Sequence, residues 1–123
     1  MRVKIIAEIG YNHNGSYDKA IDLIDSAKKL DLWAVKFQKW DPDGFPTHIK
    51  ENRRNRPDLD YGDTYYDHRK YLEFSIEELL SLKSYAESKG LVFIASGKDM
   101  KSIKDLMELG LEYIKVPSQR YHD

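Results

Sequence analysis

Cysteine is absent from the 123 residues, and that excludes both a disulfide framework and a thiolate zinc site. A dominant charge of one sign is missing as well. Twenty Lys and Arg face twenty-one Asp and Glu, and the formal net charge is -1. With both signs interspersed, composition offers no patch for nucleic acid or an anionic membrane. No apolar run nears the ~20 residues that span a bilayer. Met1-Arg2-Val3-Lys4 leads straight into a short strand rather than a signal peptide. A soluble, cytoplasmic chain is therefore expected. Proline is scarce, with four in all, and Pro42, Pro46 and Pro57 crowd into one stretch.

What is present reads as alternating strands and helices. Val3 to Ile9 is expected to form a first strand, apolar on both faces as a covered parallel strand should be. It runs into the polar, glycine-bounded turn Gly10-Tyr11-Asn12-His13-Asn14-Gly15. Ser16 can cap a helix over 17–30, whose stripe is Ala20, Ile21, Leu23, Ile24, Ala27 and Leu30. Trp33 to Phe37 makes a second strand that continues into Gln38 and Lys39. Residues 40–64 are an excursion punctuated by Pro42, Gly44, Pro46, Pro57 and Gly62. A solvated loop is the plain expectation, and a functional lid is the alternative for so long a loop.

Tyr65 to Tyr71 suggests a short helix. Ser75-Ile76-Glu77-Glu78 has capping-box spacing and opens a helix through Lys89, stopped by Gly90. Leu91 to Ala95 is a third strand, and a helix from Asp99 to Leu109 stops at Gly110. Glu112 to Val116 is a fourth strand. Three times a helix ends, a leucine follows, and an apolar run leads to a polar residue: Leu32 to Lys36, Leu91 to Ser96, Leu111 to Lys115. This is a βα array, and right-handed crossovers make its sheet parallel. No composition shift marks a linker, so residues 1–123 form one unit.

Parallel α/β folds bind ligands at the carboxyl ends of their strands. The residues there are Glu8, Lys36, Gln38, Ser96, Lys115 and Ser118, with Asn12, His13 and Asn14 on the first loop. Two lysines, two hydroxyls and a carboxylate on one rim suit a small anion. Each has a plainer reading. Glu8 can simply neutralise a lysine, the serines can be turn residues, and His13 can be a loop histidine. With no second histidine nearby, His13 is not expected to bind metal. Lys36 and Lys115 lie inside apolar runs, where lysine is hardly ever buried unless paired.

Ala7-Glu8-Ile9-Gly10-Tyr11-Asn12-His13-Asn14-Gly15-Ser16 resembles the opening of the N-acetylneuraminate (sialic acid) synthases. Ala34-Val35-Lys36-Phe37-Gln38 is similar to that family's second-strand motif. Leu72-Glu73-Phe74-Ser75, Ala95-Ser96-x-x-Asp99 and Ile114-Lys115-Val116-Pro117-Ser118 follow in the family's order. The resemblance implies a TIM (β/α)8 barrel that condenses phosphoenolpyruvate with an N-acetylated aldose. In that reading Lys36, Ser96, Lys115 and Ser118 hold phosphate and carboxylate, and Gln38 faces the sugar. Glu8 is an acidic group near the reacting centre, and Asn12 and Asn14 join as substrate-binding candidates.

A divalent metal, manganese or magnesium, is implied too, with its histidine ligands in the barrel half that this chain lacks. A full barrel takes ~250 residues, so 1–123 corresponds to its N-terminal half. A second copy or a second half-barrel chain is the partner expected to cover the open face. Where many members continue Gly-Ser-Gly-Glu, this chain has Pro117-Ser118-Gln119-Arg120. An arginine thus replaces the acidic residue expected near the aldehyde. Two other readings stay open: a class I aldolase with Lys36 or Lys115 as Schiff-base lysine, and a non-catalytic remnant or binding module.

Overall fold

The computed structural model describes residues 2–54, 56, 58–120 and 122. Four strands, β1 (Ile6–Gly10), β2 (Ala34–Lys39), β3 (Val92–Gly97) and β4 (Tyr113–Lys115), form one sheet in the order β1-β2-β3-β4. All three pairings are parallel, as the βα reading requires. Between the strands run α1 (Tyr17–Lys29), α2 (Thr47–Lys50), α3 (Tyr65–Leu72), α4 (Ile76–Ser88) and α5 (Met100–Glu108). The architecture is α/β, the arrangement of the first four strands of a (β/α)8 barrel.

The helix starts are local chemistry. Ser16 accepts from the Lys19 N–H, and Ser75 forms a full capping box with Glu78. Thr64 and Asp67 form a second capping box at α3, and Asp99 caps α5. The helix ends explain the leucine repeat. Asp31 (φ 54), Gly90 (φ 79) and Gly110 (φ 69) each turn the chain into the left-handed region. Leu32 then donates to the Ala27 carbonyl at 3.1 Å, and Leu91 to the Ala86 carbonyl at 3.0 Å. Those are Schellman closures, which return the next leucine to the core.

One face of the sheet packs under the helices. Ile9, Val35, Phe37, Phe93 and Ala95 join Ala20, Ile24, Ala27, Leu79, Leu82, Ala86 and Leu106 in a single core. Phe37 and Phe93 stack at 5.2 Å between centroids. Because side chains alternate along a strand, the other face carries Ile6, Glu8, Ala34, Lys36, Gln38, Ile94, Ser96, Tyr113 and Lys115.

Three expectations need correction. Leu30 leaves the α1 stripe and is 71% exposed, because it is already the C-cap residue. The first strand begins later than Val3, and Val3 and Ile5 are exposed. Strand β1 has a neighbour on one side only, so its start is not held under a second strand. The excursion is more than a solvated loop. It holds a 3-10 turn (Pro42–Gly44), helix α2 and an antiparallel bridge between Arg53 and Thr64. Phe45 is buried there against Trp40 and Tyr65. Pro57 lies outside the described residues.

Candidate active site

The open face of the sheet places the charged groups in two successive rows. Glu8 pairs in register with Lys36, and Lys36 with Ile94. One pleat further on, Gln38 pairs with Ser96 and Ser96 with Lys115. Partners in a parallel ladder share a face, so Glu8, Lys36, Gln38, Ser96 and Lys115 all point to the same side. Both lysines therefore stand on the same face of the sheet.

Lys36 is 5% exposed, yet its ammonium is well supplied. Nζ lies 2.7 Å from Glu8 Oε2 and donates to Ser96 Oγ at 3.4 Å. The Glu8 side chain is 62% exposed, so the pair is one-sided. A cation is held below the rim and its carboxylate stands in the opening. A buried lysine without that partner would be strongly destabilising. Ser96 is 2% exposed. Lys115 is exposed on the edge strand β4, and Gln38 is half-buried. Ser118 sits beyond β4 in a second 3-10 turn (Ser118–Arg120), exposed and without a hydrogen bond to this cluster.

The first loop supports the site more than it lines it. Asn12 reaches back to the Glu8 carbonyl at 3.4 Å. Asn14 has φ 52, the left-handed geometry that Asn tolerates, and its N–H donates to the Tyr11 carbonyl. His13 is a core residue rather than a loop histidine. It is 1% exposed, stacks on Phe74 at 4.2 Å, and accepts the Gly15 N–H at Nδ1. Burial lowers its pKa to about 4, opposed by a hydrogen bond to the Gly10 backbone.

A second cluster stands beside the first, built from residues that the motif reading assigned to no site. Glu73, at the end of α3, is almost fully buried. Its Oε1 accepts from the Tyr11 hydroxyl at 2.5 Å and from Arg69 Nη2 at 2.9 Å. Its Oε2 accepts the Trp40 N–H at 3.1 Å, with Lys39 Nζ at 3.9 Å. Burial pushes the Glu73 carboxyl up, against the pull of these donors. Burial, followed by the Glu73 charge, pushes the Tyr11 phenol up as well. Lys98, just past β3, lies 4.9 Å from the Trp40 ring centre and 5.6 Å from that of Tyr11. Tyr11, Trp40 and Lys98 each follow a strand end, which was the available signal. Glu73 lay inside the Leu72-Glu73-Phe74-Ser75 motif and Arg69 four residues before it, but nothing local placed either at the rim.

A cavity of about 720 Å³ has Trp40 in its lining. Phe45, Ile49 and Tyr65 line it, together with Asp99, Lys101 and Arg120. None of Glu8, Lys36, Ser96 and Lys115 does, so the cavity and the lysine cluster are separate features, while Trp40 both lines the cavity and carries Arg69 and Lys98 of the second cluster on its ring. Among the described residues, no group of three or more His, Asp or Glu could hold a metal ion. The residues present therefore do not fit the divalent metal that the resemblance implies.

A family model described as NeuB family matches residues 23–123. The chain belongs to the NeuB family. It is 40% identical over 119 residues to the human N-acetylneuraminate-9-phosphate synthase, covering 93% of this chain and 32% of that protein. The Drosophila melanogaster N-acetylneuraminate-9-phosphate synthase is 39% identical over 94% of this chain. The Legionella pneumophila N,N'-diacetyllegionaminic acid synthase is 37% identical over 93%. The chain spans about a third of the length of these NeuB relatives. A crystal structure of the N-acetylneuraminic acid synthetase of Leptospira borgpetersenii, in complex with citrate, superposes with TM-score 0.75 at 29% identity. That match covers 94% of this chain and 36% of the other. Among the described residues, no helix is long and apolar enough to cross a membrane.

Proposed function

We propose that this chain forms the phosphoenolpyruvate-holding, N-terminal part of a nonulosonic acid synthase, acting in cytoplasmic carbohydrate biosynthesis. The observation that carries the reading is the Glu8–Lys36–Ser96 cluster, with Lys115 in register on the same open face. A buried ammonium group beside a hydroxyl, as Lys36 is beside Ser96, suits an anionic oxygen, because electrostatic attraction is strongest where water is thin.

In the proposed reaction, carbon 3 of phosphoenolpyruvate bonds to the aldehyde carbon of an N-acetylated aldose, and the aldehyde oxygen takes up a proton. The oxygen of water bonds to carbon 2. The bond between carbon 2 and the phosphate ester oxygen breaks, and inorganic phosphate leaves with the electron pair. The hydroxyl on carbon 2 loses its proton to become the ketone carbonyl, the two protons of the water ending on the former aldehyde oxygen and on phosphate. Lys36 and Ser96 hold the phosphate oxygens, with Lys115 and Ser118 assigned to the same anion. Gln38, Asn12 and Asn14 are assigned to the sugar side, and exposed Glu8 stands where a proton is accepted or released. No step is routed through a metal, since these residues do not fit one. The remaining substrate wall is formed by the other strands of the barrel.

The test is titration of the chain with phosphoenolpyruvate. Lys36→Met is expected to weaken binding by roughly tenfold or more, the scale of a lost charged hydrogen bond. Unchanged affinity would overturn the assignment. Phosphate release with manganese, phosphoenolpyruvate and N-acetylmannosamine should stay at background for the chain alone, and clear turnover would show that it is not a partial site. An aldolase needs a free amine, whereas Lys36 is committed to Glu8 and Ser96. Borohydride in the presence of pyruvate should leave no covalent adduct.

A further inference from the structure

The loop after β1 is held from outside the sheet, by the end of α3. Gly15 passes so close to α3 that a Cβ there would lie 2.4 Å from the Tyr71 carbonyl oxygen. His13 stacks on Phe74 at 4.2 Å, and the Tyr11 hydroxyl donates to Glu73 at 2.5 Å. Glu73 is the C-cap residue of α3, with φ -84 and ψ 135, so the chain becomes extended there. Successive side chains then part. Phe74 joins the core, while Glu73 meets the loops at the strand ends.

Strand β1 needs such a hold. Its ladder with β2 shifts register after Glu8, so that Glu8 pairs with Lys36 but Gly10 pairs with Phe37. A bulge of this kind interrupts the ladder and re-aims the strand end. Glu73 bridges the two strand ends beyond it. Its Oε1 takes the hydroxyl of Tyr11, three residues past Glu8, and its Oε2 takes the N–H of Trp40, four residues past Lys36. The side chain is 7% exposed, and Arg69 fixes it from α3 at 2.9 Å. One buried carboxylate thus ties the strand of Glu8 to the strand of Lys36, yet its own ion pairs are with Lys39 and Arg69. A polar network with both oxygens engaged holds its members in one geometry.

We propose that Glu73 is a positioning residue for the Lys36 site. By tying the loop after β1 to the end of β2, it keeps the Glu8 carboxylate on the Lys36 ammonium and so sets where an incoming phosphate meets Lys36 and Ser96. The ligand in this statement rests on the synthase reading, whereas the contact rests on geometry alone. Lysine is a point charge on a flexible stem, so its aim must come from what surrounds it. Glu73→Gln keeps the size but leaves one acceptor oxygen where there were two, and sets an amide NH2 against donors. Tyr11→Phe removes one tie and leaves the ring in place.

The experiment labels lysine side chains with 15N and follows the Lys36 ammonium signal, which burial against Glu8 and Ser96 protects from exchange, together with phosphoenolpyruvate affinity. Glu73→Gln is expected to shift or broaden that signal and to weaken phosphoenolpyruvate about fivefold, with Tyr11→Phe acting in the same direction by less. In a Lys36→Met background Glu73→Gln should cost nothing further, because its effect passes through Lys36. Tyr85→Phe is the control. It loses a hydroxyl tie to Asp25 between α4 and α1, and should leave both the signal and the affinity unchanged. A Lys36 signal that neither Glu73→Gln nor Tyr11→Phe moves overturns the proposal, even where urea unfolding shows stability lost. So does a native chain without the signal, an equal response to Tyr85→Phe, an equal loss in the Lys36→Met background, or native phosphoenolpyruvate affinity in both variants. Should Glu73→Gln fail to fold, Tyr11→Phe decides alone. A signal that responds to Glu73→Gln in a chain that binds no phosphoenolpyruvate would uphold the positioning of Lys36 and remove the synthase reading.

Discussion

His13 occupies a place in the core that an aromatic hydrocarbon could fill, between Phe74 and the Tyr11 and Phe37 rings. Its burial makes it pH-sensitive, and the sign can be worked out. In the unfolded chain it takes up a proton near 6.5, whereas in the folded chain it resists until about 4. Between those values the unfolded state holds more protons, so stability is lost as pH falls from about 6.5 towards 4. The loss tends to about 3 kcal/mol at the low end. Urea unfolding at pH 7 and pH 4.5 should show this drop, and His13→Phe should flatten the part that it contributes. An equal drop in both proteins would assign the acid sensitivity elsewhere. The sequence placed His13 on a polar turn, and a turn residue is expected to face water. What turned it inward was Phe74, 61 positions away, whose ring offered a partner that no local pattern names.

At the scale of elements, two glycines carry different constraints. Gly90 has φ 79, and a Cβ there would meet only Lys28 Nζ at 3.9 Å. Gly90→Ala therefore costs backbone strain, about 1–2 kcal/mol. Gly97 needs no unusual φ, but its Cβ would lie 2.7 Å from Ile103 Cγ1 and 2.9 Å from the Ile103 nitrogen. Gly97→Ala must push α5 off the sheet. It should cost more than Gly90→Ala, towards the upper part of the ~1–3 kcal/mol range for overpacking. Denaturation midpoints of the two variants decide the order, and the reverse ranking would refute the account. Gly90 was legible because a glycine after a helical pattern signals a cap. Gly97 was not, since close approach of a helix is a tertiary fact. The excursion behaves similarly. Its breakers were visible, but Asp41 donating its N–H to Asp99 Oδ2 at 2.8 Å ties it to the α5 cap across 58 positions.

For the whole molecule, the open face is less bare than expected from the strands alone. Ala34, Lys36, Ile94 and Ser96 are buried on it, and the Trp33 ring meets Tyr113 at 5.3 Å near its lower end. Exposed apolar side chains stand at both edges of the sheet, on Val3, Ile5 and Ile6 beside β1 and on Tyr113 and Val116 around β4, as well as singly on helices and loops. Edge strands with unpaired backbone and apolar side chains invite pairing. Sedimentation at micromolar concentration is expected to show self-association, and Ile5→Lys with Val116→Lys should reduce it. A native chain that stays monomeric and binds no hydrophobic dye would count against this. The βα alternation, the caps, the parallel order and the rim position of Glu8, Lys36, Ser96 and Lys115 were all determined by the sequence itself. Each depends on local hydrogen bonding and on a two-residue or 3.6-residue periodicity. Only the tertiary structure decided that Lys36 is matched by Glu8, that Glu73 gathers Tyr11, Lys39, Trp40 and Arg69, and that Lys98 stands over the Tyr11 and Trp40 rings. Those pairings join residues from separate strand ends and from α3, and charge balance is set by which loops the sheet brings together.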